Sequence, residues 1–268
     1  MQRQSKVNLQ RDNHFLPKCY QEGFTDEDGH VWAKRTGEEP EPRNPSRLGR
    51  SRSLYIRNIN GVEDDRIESF LGREVEDRFA MLSRRVKRER NEISAISPRE
   101  QADLLLFMAS QAVRTLAHRQ CVDTQAGKPV DKNIFLQVMF RQMWTMADVW
   151  GKNPPTIRFF TNLPYVRDQF ITGDNPVVVI HVADNKVWVP TDSPQHKITH
   201  LRELLNSPNV GFWLSLSPYV CVSVQPRDGS SSYLPPETLE PPQVRMFNKL
   251  VRDQSHIFTL ARDRASLN

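Results

Sequence analysis

The side chains best suited to chemistry in this sequence are His14, Arg114, Asp174 and two acids, Glu68 and Glu76. A histidine, with an ordinary pKa of about 6.5, can transfer a proton at neutral pH. A carboxylate can orient that histidine or hold a divalent metal ion, and an arginine can neutralise a phosphoryl oxygen. If the fold brings these groups into one pocket, they suit hydrolysis of a phosphodiester.

Each of these residues also has a structural interpretation. Asp174 lies in Thr-Gly-Asp-Asn-Pro, residues 172–176, where Asp and Asn commonly satisfy backbone N–H groups in turns. His14 precedes Pro17 and can cap the helical turn that this proline opens. Arg114 can bridge a helix to the sheet. Taken singly, each structural interpretation is favoured, so the catalytic hypothesis depends on all the groups meeting.

Residues 170–180 are expected to hold Asp174 at the end of a buried strand. Pro176 lacks a backbone donor and keeps Asn175 out of the helical region, which predicts a turn. The β-branched run that follows is typical of a strand covered on both faces. A carboxylate and an amide would therefore be fixed at the rim of the core.

Basic residues are concentrated in the first third of the chain, although the net charge is only +5. No acidic residue occurs from Pro42 to Val62, a segment that contains five arginines. A second basic cluster follows on a predicted helix and consists of Arg84, Arg85, Lys87, Arg88 and Arg90. Arginine binds phosphate as a fork, and an interleaved tyrosine can stack on a base. The predicted nucleic-acid contacts are Arg47, Arg50, Arg52 and Tyr55. The alternative is a solvated linker and helix face, which is the commoner origin of such charge runs.

The composition is that of a folded protein outside the membrane, with 268 residues, 38% hydrophobic residues and a mean hydropathy of −0.60. No apolar run approaches the roughly 20 residues that span a bilayer, and the first residues lack the apolar core of a secretory signal. Three separated cysteines fit a reducing compartment and offer no thiolate metal site. We therefore expect a cytoplasmic protein with no membrane partner. Motifs for P-loop nucleotide hydrolysis, dinucleotide binding and the common serine hydrolases do not occur.

The elements that must position the candidate side chains form a helical middle and a β-rich C-terminal half. Apolar spacing predicts a helix over about 63–91, a second from a Ser97 cap to about 118, and a third from an Asp131 cap to Gly151. A proline-rich linker over 235–242 precedes a last helix over 243–253. Predicted strands lie at 31–34, 156–160, 169–172, 177–182, 186–190, 210–215 and 219–225.

This pattern predicts an α+β fold, with the helical middle packed on a mainly antiparallel sheet of the C-terminal half and a short N-terminal strand. We expect residues 1–12 to be a flexible N-terminus, 13–262 a single domain and 263–268 a tail. Within the domain, the sequence predicts an arginine-rich loop over 36–57, a helical part over 63–150 and a β-rich part over 156–225.

Several landmarks recur in an order that resembles a known family. They are His14, Pro17, Tyr20 and Phe24; Val31-Trp32; a basic loop from Arg47 to Tyr55 before an acidic helix; Gln111 to Thr115; the Thr-Gly-Asp-Asn-Pro run; Leu214 to Pro218; and Phe247-Asn248. Over roughly residues 13–262 the chain resembles the bacterial domain of unknown function 4238, with Gly173 where that family more often has serine. The resemblance implies a shared fold and a shared cluster of His14, Glu68 or Glu76, Arg114, Asp174 and Asn248. It implies no known reaction.

Two functional hypotheses follow. The first is a phosphodiester hydrolase or nuclease, such as a toxin or phage-defence effector, whose catalytic residues are His14, Glu68, Glu76, Arg114 and Asp174. The second is a non-catalytic module that binds nucleic acid or a protein partner through the arginine-rich loop. The first is preferred slightly, because a histidine, an acid and an arginine around a buried turn exceed what docking requires. The metal is left open, with a divalent ion as the candidate cofactor, and structural support is assigned to Pro17, Asn175, Pro176 and Asn248.

Overall fold

Helices and strands occupy different parts of the chain in the computed structural model, which describes residues 12–89, 93, 96–163, 168–181, 186–187, 205–207, 209–226 and 233–268. The helices are α1 (Lys18–Gln21), α2 (Arg66–Phe70), α3 (Asp77–Glu89), α4 (Pro98–Val113), α5 (Leu116–Gln125), α6 (Lys132–Lys152) and α7 (Pro241–Gln254). The strands are β1 (Asp12–His14), β2 (Val31–Arg35), β3 (Glu41–Arg43), β4 (Arg50–Arg52), β5 (Arg57–Ile59), β6 (Val62–Asp64), β7 (Thr156–Asn162), β8 (Thr172–Gly173), β9 (Val177–His181), β10 (Lys186–Val187), β11 (Val210–Ser217), β12 (Val220–Gln225), β13 (Tyr233–Leu239) and β14 (Phe258–Ala261). The predicted α+β class is confirmed. In the described part of the chain, no helix is long and apolar enough to cross a membrane.

The larger sheet has six strands in the order β10-β9-β11-β12-β7-β13, all antiparallel except β13, which runs parallel to β7. The sequence predicted a proline-rich linker where β13 lies, and that prediction was wrong. Pro235 and Pro236 fall within a register shift between Leu234 and Glu237. An edge strand tolerates proline at such a bulge, because no ladder donor is required there.

A smaller sheet, in the order β3-β2-β14-β8, joins both ends of the chain. Its strand β8 is the short remnant of the strand predicted over 169–172, and Asp174 follows it directly. The loop predicted over 36–57 contains β3, β4 and the beginning of β5. Residues 1–11 and 188–190, for which a flexible terminus and part of a strand were predicted, lie outside the described residues.

The helical middle departs from prediction at two places. Residues 66–89 are continuous but include a π-helix over Leu71–Glu76. The second helix ends at Val113 instead of near 118, because Arg114 leaves the helical region and extended Thr115 caps α5 through the N–H of His118. The Asp131 cap of α6 is confirmed, but that helix passes through Gly151 and ends at Lys152.

The larger sheet is covered on both faces. The helical middle packs on one face, where the rings of Trp150 and Phe212 meet edge to face at 5.5 Å. Helix α7 packs on the other, with Phe247 beside Trp213 at 5.9 Å. Within the helical layer, the rings of Phe79 and Phe107 stack at 3.6 Å. The alternation of strand residues between the two cores explains the buried β-branched runs.

Candidate functional site

Arg114, at the break between α4 and α5, is the centre of a buried polar cluster and is only 1% exposed. Its Nη1 donates to Oε1 of Glu76 at 2.8 Å, and its Nε donates to the Tyr55 hydroxyl at 3.2 Å. Its Nη2 donates to the backbone carbonyl of His14. We call His14, Tyr55, Glu68, Glu76 and Arg114 the Arg114 cluster. Because all three nitrogens have partners in the protein, this guanidinium holds the cluster together and cannot bind a phosphoryl group without breaking it.

Tyr55 is fully buried, although the sequence proposed its ring as a platform for a base. The Arg114 guanidinium lies 5.2 Å from the ring centroid, in a cation–π arrangement. The Tyr55 hydroxyl also donates to the Arg114 carbonyl at 3.3 Å, and the Tyr55 N–H donates to the side chain of Asn13 at 3.2 Å. The ring has no exposed face, so stacking on a base would require Tyr55 to leave the core.

The π-helix brings two acids to Arg114. Glu68 precedes it on α2 and Glu76 is its last residue; the N–H of Asp77 reaches back five residues to the carbonyl of Gly72. Eight residues of regular α-helix would set Glu68 and Glu76 roughly 80° apart around the axis. A π-helix turns less per residue, which moves both side chains toward one face. Such insertions are frequent at functional sites.

Glu68 has a strongly perturbed carboxyl group. Burial raises its pKa from 4.5 to about 7, and the negative charge of Glu76 adds to this, while Arg114 and a hydrogen bond from Asn13 oppose it. Its Oε2 is buried and has no hydrogen-bond partner within the described residues. A carboxyl with its pKa raised in this way can both give and take a proton near neutral pH.

His14 is held in its neutral form. Burial lowers its pKa, as do the charges of Arg114 and Arg50, whereas a hydrogen bond to the Ser46 backbone and the charge of Glu76 oppose this. Its Nε2 is buried and lacks a hydrogen-bond partner among the described residues. With the hydrogen bond to the Ser46 backbone assigned to Nδ1–H, Nε2 carries the lone pair and is the basic nitrogen.

Asp174 makes its contacts at a different place from the Arg114 cluster. Its Oδ1 accepts the N–H of His256 at 2.8 Å and its Oδ2 accepts the N–H of Ile257 at 2.9 Å. Burial raises the pKa of this carboxyl in spite of those hydrogen bonds, and the side chain is 1% exposed. The contacts are those of the structural interpretation, in which Asp174 satisfies backbone N–H groups.

Asn175 and Asn248 fasten α7 to the same turn. Asn248 accepts the N–H of Ile171 at 3.1 Å and donates to the carbonyl of Gln169 at 2.7 Å. The side chain of Asn175 donates to the carbonyl of Gln254 at 3.4 Å, and the Gln254 side chain donates back to the Asn175 carbonyl at 3.0 Å. These residues hold a helix against the chain and leave the turn without a group directed at a substrate.

Arg47, Arg50 and Arg52 lie exposed on and beside β4, which pairs with β1. Arg50 stands opposite His14 in this pair and forms an ion pair with Asp12 at 3.3 Å. In the described part of the chain, neither Arg47 nor Arg52 pairs with a carboxylate. The three arginines therefore form a small basic surface outside the Arg114 cluster.

A cleft of about 690 Å³ lies beside the Arg114 cluster, between α1 and α3. On one side its wall includes Cys19, whose thiol donates to the Glu76 carbonyl at 3.8 Å. On the other side it includes Pro45, the neighbour of the Ser46 that holds His14. Burial raises the pKa of the Cys19 thiol to about 12, so this thiol is protonated and is not a nucleophile.

The sequence did not predict this cleft, although two of the residues that line it belong to a predicted basic cluster. Arg84 and Lys87 stood out as members of a basic cluster on a helix, but nothing in the spacing showed that α1 would pack beside them. For a metal, no group of three or more His, Cys, Asp or Glu side chains within the described ranges is arranged to hold an ion.

Fold and site together define an α+β protein with a buried, charged cluster under an arginine-bearing surface. The model of a family described as "Protein of unknown function (DUF4238)" matches residues 12–153, more than half of the chain. The chain belongs to this family, as the resemblance predicted. The matched segment contains the whole Arg114 cluster, whereas Asp174 and Asn248 lie beyond it. No curated protein and no solved structure matches the chain.

Proposed function

We propose that this protein is a phosphodiester hydrolase of the nuclease type, in which Glu68 and His14 transfer protons. The observation that carries this proposal is a pair of titratable atoms beside Arg114, Oε2 of Glu68 and Nε2 of His14, both buried and lacking a hydrogen-bond partner within the described residues. Burying a polar atom without a partner costs stability, on the order of 1–3 kcal/mol each. Perturbed acids and bases of this kind are typical of active sites.

The two groups have complementary roles. Nε2 of His14 accepts a proton from a water molecule as the water oxygen bonds to phosphorus. The carboxyl of Glu68 gives its proton to the leaving oxygen as the ester P–O bond breaks. Arg114 is a positioning residue: it fixes the carboxylate of Glu76, whose charge favours the imidazolium formed on His14. Asp174 has no part in this scheme, because backbone N–H groups occupy both of its oxygens.

Substrate reaches these atoms only after a local movement, since both lie below the surface. The turn Pro45–Arg47 is the segment to move, because its Ser46 carbonyl binds the His14 ring. That turn also contains Arg47, so a phosphate group that binds Arg47 would displace the segment that covers the site. We assign nucleic acid as substrate, and toxin or phage-defence effector as biological class, on the support of this basic surface.

Cleavage of end-labelled single-stranded DNA, duplex DNA and RNA, with and without a chelator, tests the proposal. We expect Glu68→Gln and His14→Gln to lower cleavage about 100-fold or more, the typical contribution of one proton-transfer group. Glu74→Gln is the matched control, because Glu74 is a partly exposed acid of the π-helix that follows Glu68 and pairs with Arg78. Variants with unchanged melting temperatures and unchanged cleavage, or a wild-type protein inactive on all three substrates, would contradict it.

A second candidate function is a non-catalytic module that binds nucleic acid or an acidic protein partner. It is favoured by Arg47 and Arg52, which are exposed and have no carboxylate partner in the described ranges. Binding to labelled oligonucleotides should then weaken steeply with salt and weaken further in the double variant Arg47→Ala, Arg52→Ala. Arg99→Ala, an exposed arginine at the start of α4, is the control. Binding that ignores salt would exclude this function.

We also assign the protein to the cytoplasm. The support is that none of Cys19, Cys121 and Cys221 forms a disulfide within the described residues and that two of them are buried, as is usual in a reducing compartment. Non-reducing and reducing electrophoresis of protein isolated with an alkylating agent tests this: disulfide-linked protein in cells would contradict it.

A further inference from the structure

The cleft between α1 and α3 has the dimensions of a ligand site. Its volume of about 690 Å³ falls within the range of small-molecule pockets, roughly 300–1,000 Å³. Its walls come from α1, the turn at Asn44 and Pro45, and three turns of α3. The catalytic scheme proposed above uses none of the side chains that line it.

Cations outnumber carboxylates in this cleft. Its basic residues are Lys18, Arg84 and Lys87, and its acids are Glu22 and Asp77. Lys18 neutralises Glu22 through an ion pair of 3.3 Å. The remaining charge balance is one acid against the two cations of α3, which favours an anionic ligand.

The two cations of α3 are held ready for an anion. Lys87 donates to the Glu22 carbonyl at 2.8 Å and to the Thr25 hydroxyl at 2.6 Å, so two neutral acceptors fix its ammonium in place. Arg84 uses its Nε on the Ala80 carbonyl at 3.2 Å. Its two amino groups make no ion pair with the described carboxylates. A guanidinium in this state offers the paired donors that suit a phosphoryl group.

Gly23 also lines the cleft, and a Cβ at this position would come within 2.7 Å of the Leu216 carbonyl oxygen. The close packing of this wall against β11 therefore excludes a side chain here. Pro45 and Ala80 add apolar surface to the walls, against which a non-polar part of the ligand can pack.

From these features we propose that the cleft binds a small phosphorylated molecule, with its phosphoryl group between Arg84 and Lys87 and its organic body against Pro45 and Ala80. The site differs from the proposed catalytic site in residues and in chemistry. It forms no covalent bond to its ligand and needs no proton transfer. If the cleft binds no phosphorylated molecule, the hydrolase proposal still stands. If the protein is not a hydrolase, the binding proposal still stands.

Calorimetric titration of the dialysed full-length protein tests this site with inorganic phosphate, adenosine monophosphate, glucose 6-phosphate and sulfate. We expect the organic phosphates to bind more tightly than inorganic phosphate, because only they bury an apolar body, and sulfate to bind most weakly. Arg84→Ala should lower the affinity on the order of tenfold or more, as loss of a charge-assisted contact does. Arg88→Ala, an exposed arginine of the same helix outside the cleft, should leave it unchanged.

A second variant controls for misfolding of the altered protein. Lys87→Met keeps most of the unbranched apolar stem and removes the charge, and its melting temperature without ligand reports whether α1 and α3 still pack. Glu68→Gln should bind each ligand as the wild type does, which separates this site from catalysis. Binding of none of the phosphates, equal binding of sulfate, or equal affinities for Arg84→Ala and Arg88→Ala would overturn the proposal.

Discussion

The hydrogen bonding of the buried carboxyl group differs between the Arg114 cluster and the turn around Asp174. At the turn, backbone N–H groups occupy both oxygens of Asp174. In the cluster, Oε2 of Glu68 and Nε2 of His14 find no hydrogen-bond partner within the described residues. Both regions are buried and polar, and both contain unpaired atoms, but at the turn these are the amide oxygens of Gln169 and Gln254, which do not titrate. Unused bonding capacity on a titratable group, and not burial or charge alone, separates a candidate reactive site from a structural junction.

The largest difference between the regions should appear on removal of Arg114. Arg114→Ala would leave Glu76 without its partner and Tyr55 and His14 without their donor. We expect a loss of about 4 kcal/mol in the free energy of unfolding, the range for breaking a buried ion pair. Urea unfolding followed by circular dichroism measures it. Arg78→Ala removes a partly exposed partner of Glu74 and, at 3.9 Å, of Asp103, and should change the value by less than about 1 kcal/mol; similar losses in the two variants would refute a central role for Arg114.

Asp174→Ala should have the next largest effect. It leaves the N–H groups of His256 and Ile257 without acceptors, and we expect a loss of about 2–3 kcal/mol, with little change in activity. Asp174→Asn keeps one acceptor oxygen and should lose less. Asp148→Ala, at an exposed site on α6, is the control for the same urea measurement. If Asp174→Ala abolished cleavage without destabilising the protein, the assignment of this turn to structure would be wrong.

A smaller effect is expected from Glu68, in the pH dependence of the free energy of unfolding. Burial raises its pKa from 4.5 in the ordinary carboxyl to about 7 in the folded protein. Between these pH values the folded state keeps a proton that the unfolded chain has released, so this group lowers the free energy of unfolding as pH rises. Glu68→Gln should remove that decline. Urea midpoints at pH 4.5, 6 and 8 measure it, and parallel curves for wild type and variant would show that Glu68 is not perturbed.

In the same experiment, His14 should change the free energy of unfolding with pH in the opposite direction. Its pKa lies below 6.5 in the folded state, so the unfolded chain binds the proton more tightly and stability increases as pH rises toward 6.5. His14→Gln should remove this increase and make the decline caused by Glu68 steeper. A change in the same direction for both variants would contradict the opposed shifts.

The smallest effect on stability is expected at the basic surface. Arg47→Ala with Arg52→Ala should alter the free energy of unfolding by less than about 0.5 kcal/mol, because neither side chain pairs with a described carboxylate. The same double variant is expected to weaken nucleic-acid binding. A large loss of stability would show that these arginines belong to the fold and would remove the support they give to either function.

Local patterns predicted much of this molecule. The Ser97 and Asp131 caps, the amphipathic stripe of α3 and the β-branched or aromatic runs of β9, β11 and β12 all follow from side-chain chemistry within a few residues. Even the structural interpretation of Asp174 was available from the turn sequence. These features depend on contacts that are short in sequence, where periodicity and capping are informative.

What could not be predicted depends on contacts distant in sequence. The π-helix gives no signal in the apolar spacing, so the alignment of Glu68 with Glu76 was invisible. The break at Arg114 occurs inside a run that reads as continuous helix, and Tyr55 is buried because Arg114, 59 residues away, hydrogen-bonds to it. The cleft requires α1 to meet α3. Tertiary packing decides each of these, and the sequence alone does not specify it.

The strand order of the smaller sheet has a consequence for the nascent chain during translation. Strand β2, near the N-terminal end of the described chain, lies between β3 and β14, and β14 spans Phe258–Ala261. The segment that the family model covers ends at residue 153, so it leaves one edge of β2 without its neighbour. During translation this edge stays open through the synthesis of more than two hundred residues before β14 closes it, and for that period it can pair with the strand edges of other chains.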